Sequence, residues 1–141
     1  MPSPDTGELL RIVQGFEGRH VLVVGDLVAD EYVKALCGAK INLCLLSQWF
    51  GDIRTTRSVE VPACGQFLLA ERTEAHRALF REGVEAEFYD TPEELRRKID
   101  HYLTHEPERQ AIARAGRQRC LQGYGYPDRL REILRQLMEA A

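Results

Sequence analysis

Several common signatures are missing from these 141 residues. The four cysteines, Cys37, Cys44, Cys64 and Cys120, contain no C-x-x-C pair and sit in apolar or helical surroundings. Buried, reduced thiols are therefore expected. No apolar run approaches the roughly 20 residues that span a bilayer, and no basic segment leads into an apolar N-terminal stretch. A cytoplasmic protein without a membrane span is the expectation. Charge of one sign is also lacking. Nineteen Lys and Arg stand against 22 Asp and Glu, a net charge of −3, so neither nucleic acid nor an acidic membrane is expected as a partner. There is no internal repeat and no low-complexity stretch. A lone Gly25-Asp26 turn does not make a phosphate loop, and no Ser/His pair suggests a nucleophilic triad. His101 and His105 stand four apart on a helix, but with no third ligand nearby in sequence a solvated face is expected and no metal.

What remains is the composition of one soluble domain, 44% hydrophobic and 29% charged, long enough to bury a core. "MPSPDTG" opens the chain as a Pro/Ser/Gly-rich stretch expected to fray. Leu9, Leu10, Ile12, Val13 and Phe16 follow at helical spacing, closed by Gly18. "HVLVVGD" reads as a buried parallel strand entering a turn, and Val28, Tyr32, Leu36 and Cys37 mark one face of a second helix. "KINLCLL" (40–46), "QFLLAE" (66–71) and "AEFYD" (86–90) predict further strands. Between the first two of these lies a short helix beginning near Thr55, and "TEAHRALF" predicts another helix. Thr91 caps "PEELRRKIDHYL", with Pro92 at the first helical position and Glu94 three residues after the cap; Leu95, Ile99, Tyr102 and Leu103 form its core stripe. "PERQAIARAGRQRCL" and a last helix carrying Leu130, Ile133, Leu134, Leu137 and Met138 complete the chain. Alternating strands and helices imply a Rossmann-like α/β fold, a parallel sheet of about four strands with helices on both faces and a helical C-terminal tail.

In open parallel sheets, ligands bind beyond the carboxyl ends of the strands. "SQWFGDIRTTRSVE" leaves the second of the predicted strands at that end and enters a helix. Thr55, Thr56, Arg57 and Ser58 would place free backbone N–H groups and hydroxyls at the helix start, where the dipole and the unpaired donors favour a phosphate. Arg57 would add a charge-assisted contact. Glu60, about one turn further on, could accept two ribose hydroxyls, and "PACG" then ends the helix. Capping and a surface ion pair worth under ~1 kcal/mol account for the same residue types, so the pattern alone leaves the ligand open.

A resemblance sharpens the choice. "DEYVKALCGAKINLCLLSQ", "DIRTTRSVEVPACGQFLLAERTEAHRALFREGVEAEFYDTPEELRRKIDHYL" and "ERQAIARAGRQRCL", covering about residues 31–137, resemble the C-terminal part of the CgeB-like (spore maturation protein type) glycosyltransferases. The pattern T-x-R-x-x-E-x-P-A-C-G, then L-A-E-R-T, then F-x-E-G-x-E-A-x-F, carries the match. The resemblance implies half of a GT-B fold, the half that binds a nucleotide-diphosphate sugar, with transfer to an unknown acceptor. Asp52 and Glu60, eight positions apart, match a family pair of acidic residues. The first lies near the transferred sugar, with Asp where many relatives have Glu; the second holds the ribose. The amides of Thr55 to Ser58 match the diphosphate grip, and Glu71, Arg72 and Thr73 would line the crevice from the next strand. Asp52 is thus the implied catalytic residue, and no metal or other cofactor is implied, because charge leaving with the diphosphate is stabilised electrostatically.

Residues 8–33, "ELLRIVQGFEGRHVLVVGDLVADEYV", resemble instead the start of ribokinase-like (PfkB-type) sugar kinases of the heptose-phosphate branch, where the Asp26 and Asp30 region would face the sugar. The implied organisation is a disordered tail at 1–7, a sugar-kinase-like segment at 8–33 and a glycosyltransferase C-terminal domain at 34–141, joined at a seam near 30–33. "VLVVG" would then pair beside "KINLCLL". The kinase's phosphoryl-transfer segment is absent, which argues against a kinase remnant. The N-terminal GT-B domain is absent too, so transfer by this chain alone is not expected, and a homodimer or a further domain would have to close the cleft. A non-catalytic fragment or partner-docking module is the rival expectation.

Overall fold

The computed structural model describes residues 21–23, 29–46 and 51–122, together with 130–131, 134–136 and 138. The tail at 1–7, the helix expected around Leu9–Phe16, the Gly25-Asp26 turn and the expected core positions Ile133 and Leu137 lie outside the described residues.

Four strands form one parallel sheet in sequential order: β1 (Val21–Val23), β2 (Ile41–Cys44), β3 (Leu68–Glu71) and β4 (Glu87–Tyr89). β1 pairs with β2 from Val21 opposite Ile41 to Val23 opposite Leu43, so the strand expected to lie beside "KINLCLL" does so. β2 is buried at all of its positions, as a strand covered on both faces must be.

The crossovers explain how both faces are covered. α1 (Ala29–Gly38), α2 (Arg57–Ala63) and α3 (Glu74–Leu79) each join two adjacent parallel strands. With a constant right-handed crossover, a sequential strand order puts all three on one face. Their buried residues agree: Leu36, Val61 and Leu79 share one core with Cys44, Leu68, Ala70 and Phe88. After β4 the chain turns over the other face. There α4 (Pro92–Thr104) and the first part of α5 (Glu106–Leu121) bury Leu95, Ile99, Tyr102 and Ile112 against Ile41, Leu43, Leu69 and Tyr89. The alternation of Leu68 and Ala70 with Leu69 between the two cores is the period of a strand.

The ends of the elements follow their local chemistry. The Thr91 hydroxyl accepts the Glu94 N–H at 3.2 Å, capping α4. α2 continues through Pro62 and Ala63 and stops at Cys64; Gly65, with φ of 75°, then turns the chain towards β3. The expectation of buried thiols holds for Cys44 and Cys120 only. Cys37 is exposed and Cys64 half-buried, and all four are free of disulfides. Cys37 directly follows the buried Leu36 on α1; a helix turns about 100° between neighbours, which here carries Cys37 off the inward face. The described positions after residue 122 are helical, with Leu130, Leu134 and Met138 exposed.

Candidate functional site

Residues 45–46 leave the carboxyl end of β2 and residues 51–56 lead into α2, and Glu71, which ends β3, is followed by Arg72 and Thr73 at the same side of the sheet. Two bonds tie these segments together. The Leu46 N–H donates to Glu71 Oε1 at 3.0 Å, and Thr73 Oγ1 donates to the Ile53 carbonyl at 2.8 Å. The Thr73 hydroxyl also accepts the His76 N–H at 3.1 Å, so the residue that caps α3 also grips the loop.

Beneath the first turn of α2 runs a buried relay. Ser58 Oγ lies 2.7 Å from His76 Nε2, and His76 Nδ1 lies 2.6 Å from the Glu71 carbonyl oxygen. A carbonyl only accepts, which puts the imidazole proton on Nδ1 and leaves Nε2 to accept from the Ser58 hydroxyl. Ser58 Oγ in turn accepts the Thr55 N–H at 3.2 Å. Burial lowers the His76 pKa below its ordinary 6.5; the bond to Glu71 opposes that and the nearby Arg54 adds to it. Phe88 stacks on the ring, with centroids 5.6 Å apart. Cys44 Sγ sits 3.3 Å from Thr55 Oγ1, and burial pushes its thiol up.

The expected site residues divide into two groups. Asp52, Thr56 and Glu60 are exposed and Arg57 is half-buried. Thr56 is the N-cap of α2 without a side-chain capping bond, and Glu60 stands in the first turn, four residues on, over the same side of the helix. Thr55 and Ser58 are committed to the protein. Besides the relay, the Ser58 N–H donates to the Thr55 carbonyl at 3.1 Å. The expectation of open N–H groups at all four positions is therefore corrected: two of the amides are spent on the turn itself.

The second group also works inside the fold. Glu71 holds the Leu46 amide, and burial raises its pKa despite that bond. It lies opposite Tyr89 in the ladder, whose hydroxyl is buried without a hydrogen-bond partner among the described residues. Arg72 is a hub. Nε donates to Glu82 Oε2 at 3.0 Å, Nη2 to Glu82 Oε1 at 2.6 Å and to Glu94 Oε1 at 2.8 Å, and Nη1 to Asp90. Burial pushes the Glu94 carboxyl up, but Arg72 and the Asp90 N–H outweigh it and bring it to about 2. Lys98 joins the cluster through Glu82 at 3.2 Å and through Glu87. Arg72 thus serves the scaffold where β3 and β4 meet α4, and Thr73 serves the cap and the loop bridge.

The Ser58–His76 pair is what sequence reasoning missed. Its buried serine and its carbonyl third member make it a structural relay rather than a nucleophile with an activated base. The sequence signal was present in Thr73-x-x-His76, a cap followed three residues later by a polar group on the inward side of α3. His101 and His105 are exposed and stack at 3.9 Å, with His101 Nε2 2.8 Å from Glu108 Oε2. A hollow of about 220 Å³ opens at the opposite, amino ends of β2 and β3, lined by Lys40, Gln66, Phe67 and Arg109 among others.

A comparison with family models matches residues 7–135 to the family described as glycosyl transferase-like, in one range that includes residues 8–33. Neither a curated protein nor a solved structure matches the chain.

Proposed function

The chain belongs to the glycosyl transferase-like family, and on that premise we propose that it is the donor-binding half of a GT-B glycosyltransferase that takes a nucleotide-diphosphate sugar. The observation that carries the reading is the segment from Asp52 to Glu60, exposed on its outer side and anchored to the carboxyl end of β3 by Thr73 and His76. The motif T-x-R-x-x-E-x-P-A-C-G favours the CgeB-like branch of the family.

In this reading the amides of Thr56 and Arg57 and the Arg57 guanidinium receive the diphosphate, where backbone donors and a helix start attract anions. Glu60 accepts the ribose hydroxyls. Asp52 lies near the sugar and acts on the charge that develops at its reacting carbon. Donors aimed at the departing diphosphate stabilise the transition state electrostatically. Ser58, Glu71, Arg72 and Thr73 hold this constellation without touching the donor. The acceptor is bound by a second wall of the cleft, from another domain or another copy of the chain.

Isothermal titration of the chain with UDP and GDP tests the reading. One nucleotide is expected to bind, and Glu60→Ala should weaken it about tenfold or more, since a hydrogen bond to a charged group is worth about 1.5–3 kcal/mol. Equal binding by both proteins refutes the ribose assignment. A partner-docking module is the second reading, favoured by Leu121, Leu130 and Met138, which are 70%, 58% and 81% exposed. A monomer in light scattering that binds a nucleotide would remove it.

A further inference from the structure

The start of α3 holds the loop before α2 at one point and the first turn of α2 at another. Thr73 takes the Ile53 carbonyl and His76 takes the Ser58 hydroxyl, on either side of Arg54 and Thr55. The second link is the more demanding, because it is buried: Ser58 and His76 are both 0% exposed. Each atom of the relay has one role. The Glu71 carbonyl fixes the ring and its proton, Nε2 fixes the direction of the Ser58 O–H, and the oxygen so oriented turns its lone pair to the Thr55 N–H. Water cannot replace a broken link there, so a group left without its partner carries the full cost of desolvation.

We propose that His76 is a positioning residue for donor binding, fixing through Ser58 the turn at Thr55 that presents Thr56, Arg57 and Glu60 to the nucleotide. The inference rests on the donor reading above and adds to it a residue that never touches the ligand. It also makes donor binding depend on one proton. A proton on Nε2 would turn the acceptor into a donor facing Ser58, and the hydroxyl could no longer point at the ring. Among the described residues, the groups around the imidazole give that charge no partner. Arg54 on the loop is cationic, Cys44 on β2 is a thiol raised by burial, β3 presents the Glu71 carbonyl while the Glu71 carboxylate is turned to Leu46, and β4 presents the Phe88 ring. On α3 itself, Glu74 and Arg77 are exposed.

The sign follows. A histidine whose pKa is lowered by folding stabilises the native loop above the ordinary value of 6.5, and that contribution is lost as pH falls below 6.5 through the lowered value. In His76→Gln the side-chain oxygen can still accept from Ser58 and does not titrate. UDP and GDP should be titrated into the full chain and into His76→Gln from pH 7.5 down to about pH 5. Both proteins meet the same ionisation of the nucleotide, so the ratio of their affinities reports the protein. That ratio should move against the natural chain on the acid side; parallel profiles overturn the proposal.

Amide hydrogen exchange gives a second readout that needs no ligand. In His76→Phe, or in His76→Leu if the former does not fold, the Thr55 amide should exchange on the order of tenfold faster while thermal unfolding stays cooperative. Unchanged protection of that amide overturns the positioning role. If neither UDP nor GDP binds the natural chain, the donor reading fails, and Thr55 protection still decides whether His76 fixes the turn.

Discussion

Arg72 and Glu60 both belong to polar runs that looked suited to a ligand, and packing separates them. Arg72 meets Glu82, Glu94, Asp90 and the Phe88 carbonyl. Such an arginine cannot be removed without leaving carboxylates crowded together, a loss of roughly 2–4 kcal/mol for a largely buried cluster. Arg72→Met should therefore lower stability by about that amount in urea unfolding, while the folded variant keeps nucleotide affinity within about threefold. The pH dependence is specific. Glu94, held at about 2 against an ordinary 4.5, contributes stability that is complete above 4.5 and lost as pH falls towards 2. The gap between natural chain and variant should accordingly close over that range. Glu60 is exposed in the first turn of a helix. Sequence spacing alone could not separate the two, because the partners of Arg72 lie 10 to 22 residues away in the chain.

Among the elements, those with strong local chemistry were legible. The Thr91-Pro92-Glu94 start of α4 and the stripe Leu95, Ile99, Tyr102 appear as the sequence implies. So do the apolar runs of β2, β3 and β4, shortened at their ends where ladder bonds stop. Elements whose detail depends on contact with others were less legible. Pro62 reads as a stop, yet α2 runs through it, and the proline packs towards α5. A Cβ at Gly116 of α5 would overlap the Glu85 carbonyl oxygen and come within 3.3 Å of the Pro62 ring. Gly116→Ala should therefore destabilise by about 1–3 kcal/mol through overpacking, outweighing the ~1 kcal/mol that alanine gains in a helix interior. A melting temperature several degrees lower is expected; a higher one would mean that α5 can move off the turn at Glu85. The Ser58–His76 relay was hidden for a related reason. It joins α2 to α3, which only the parallel pairing of β2 with β3 makes neighbours.

On the scale of the whole molecule, the sequential sheet explains where a ligand can sit. Three crossover helices cover one face and α4 with the first part of α5 the other, so the carboxyl ends of the strands are an edge at which loops gather. That much follows from the alternation of apolar runs and amphipathic segments. The working parts of the loop edge do not, because they depend on contacts and burial set by the whole fold: Thr55, Ser58, Glu71, Arg72 and Thr73 make the bonds described above, Asp52, Thr56 and Glu60 are exposed at the surface and Arg57 is half-buried. Amide chemical-shift mapping of the isotope-labelled chain during addition of UDP or GDP tests the central claim most directly. The account predicts saturable shifts concentrated at Asp52, Thr56, Arg57 and Glu60, with Lys40, Gln66 and Arg109 at the opposite end unmoved. Shifts centred on that opposite hollow, or none with either nucleotide, would contradict it.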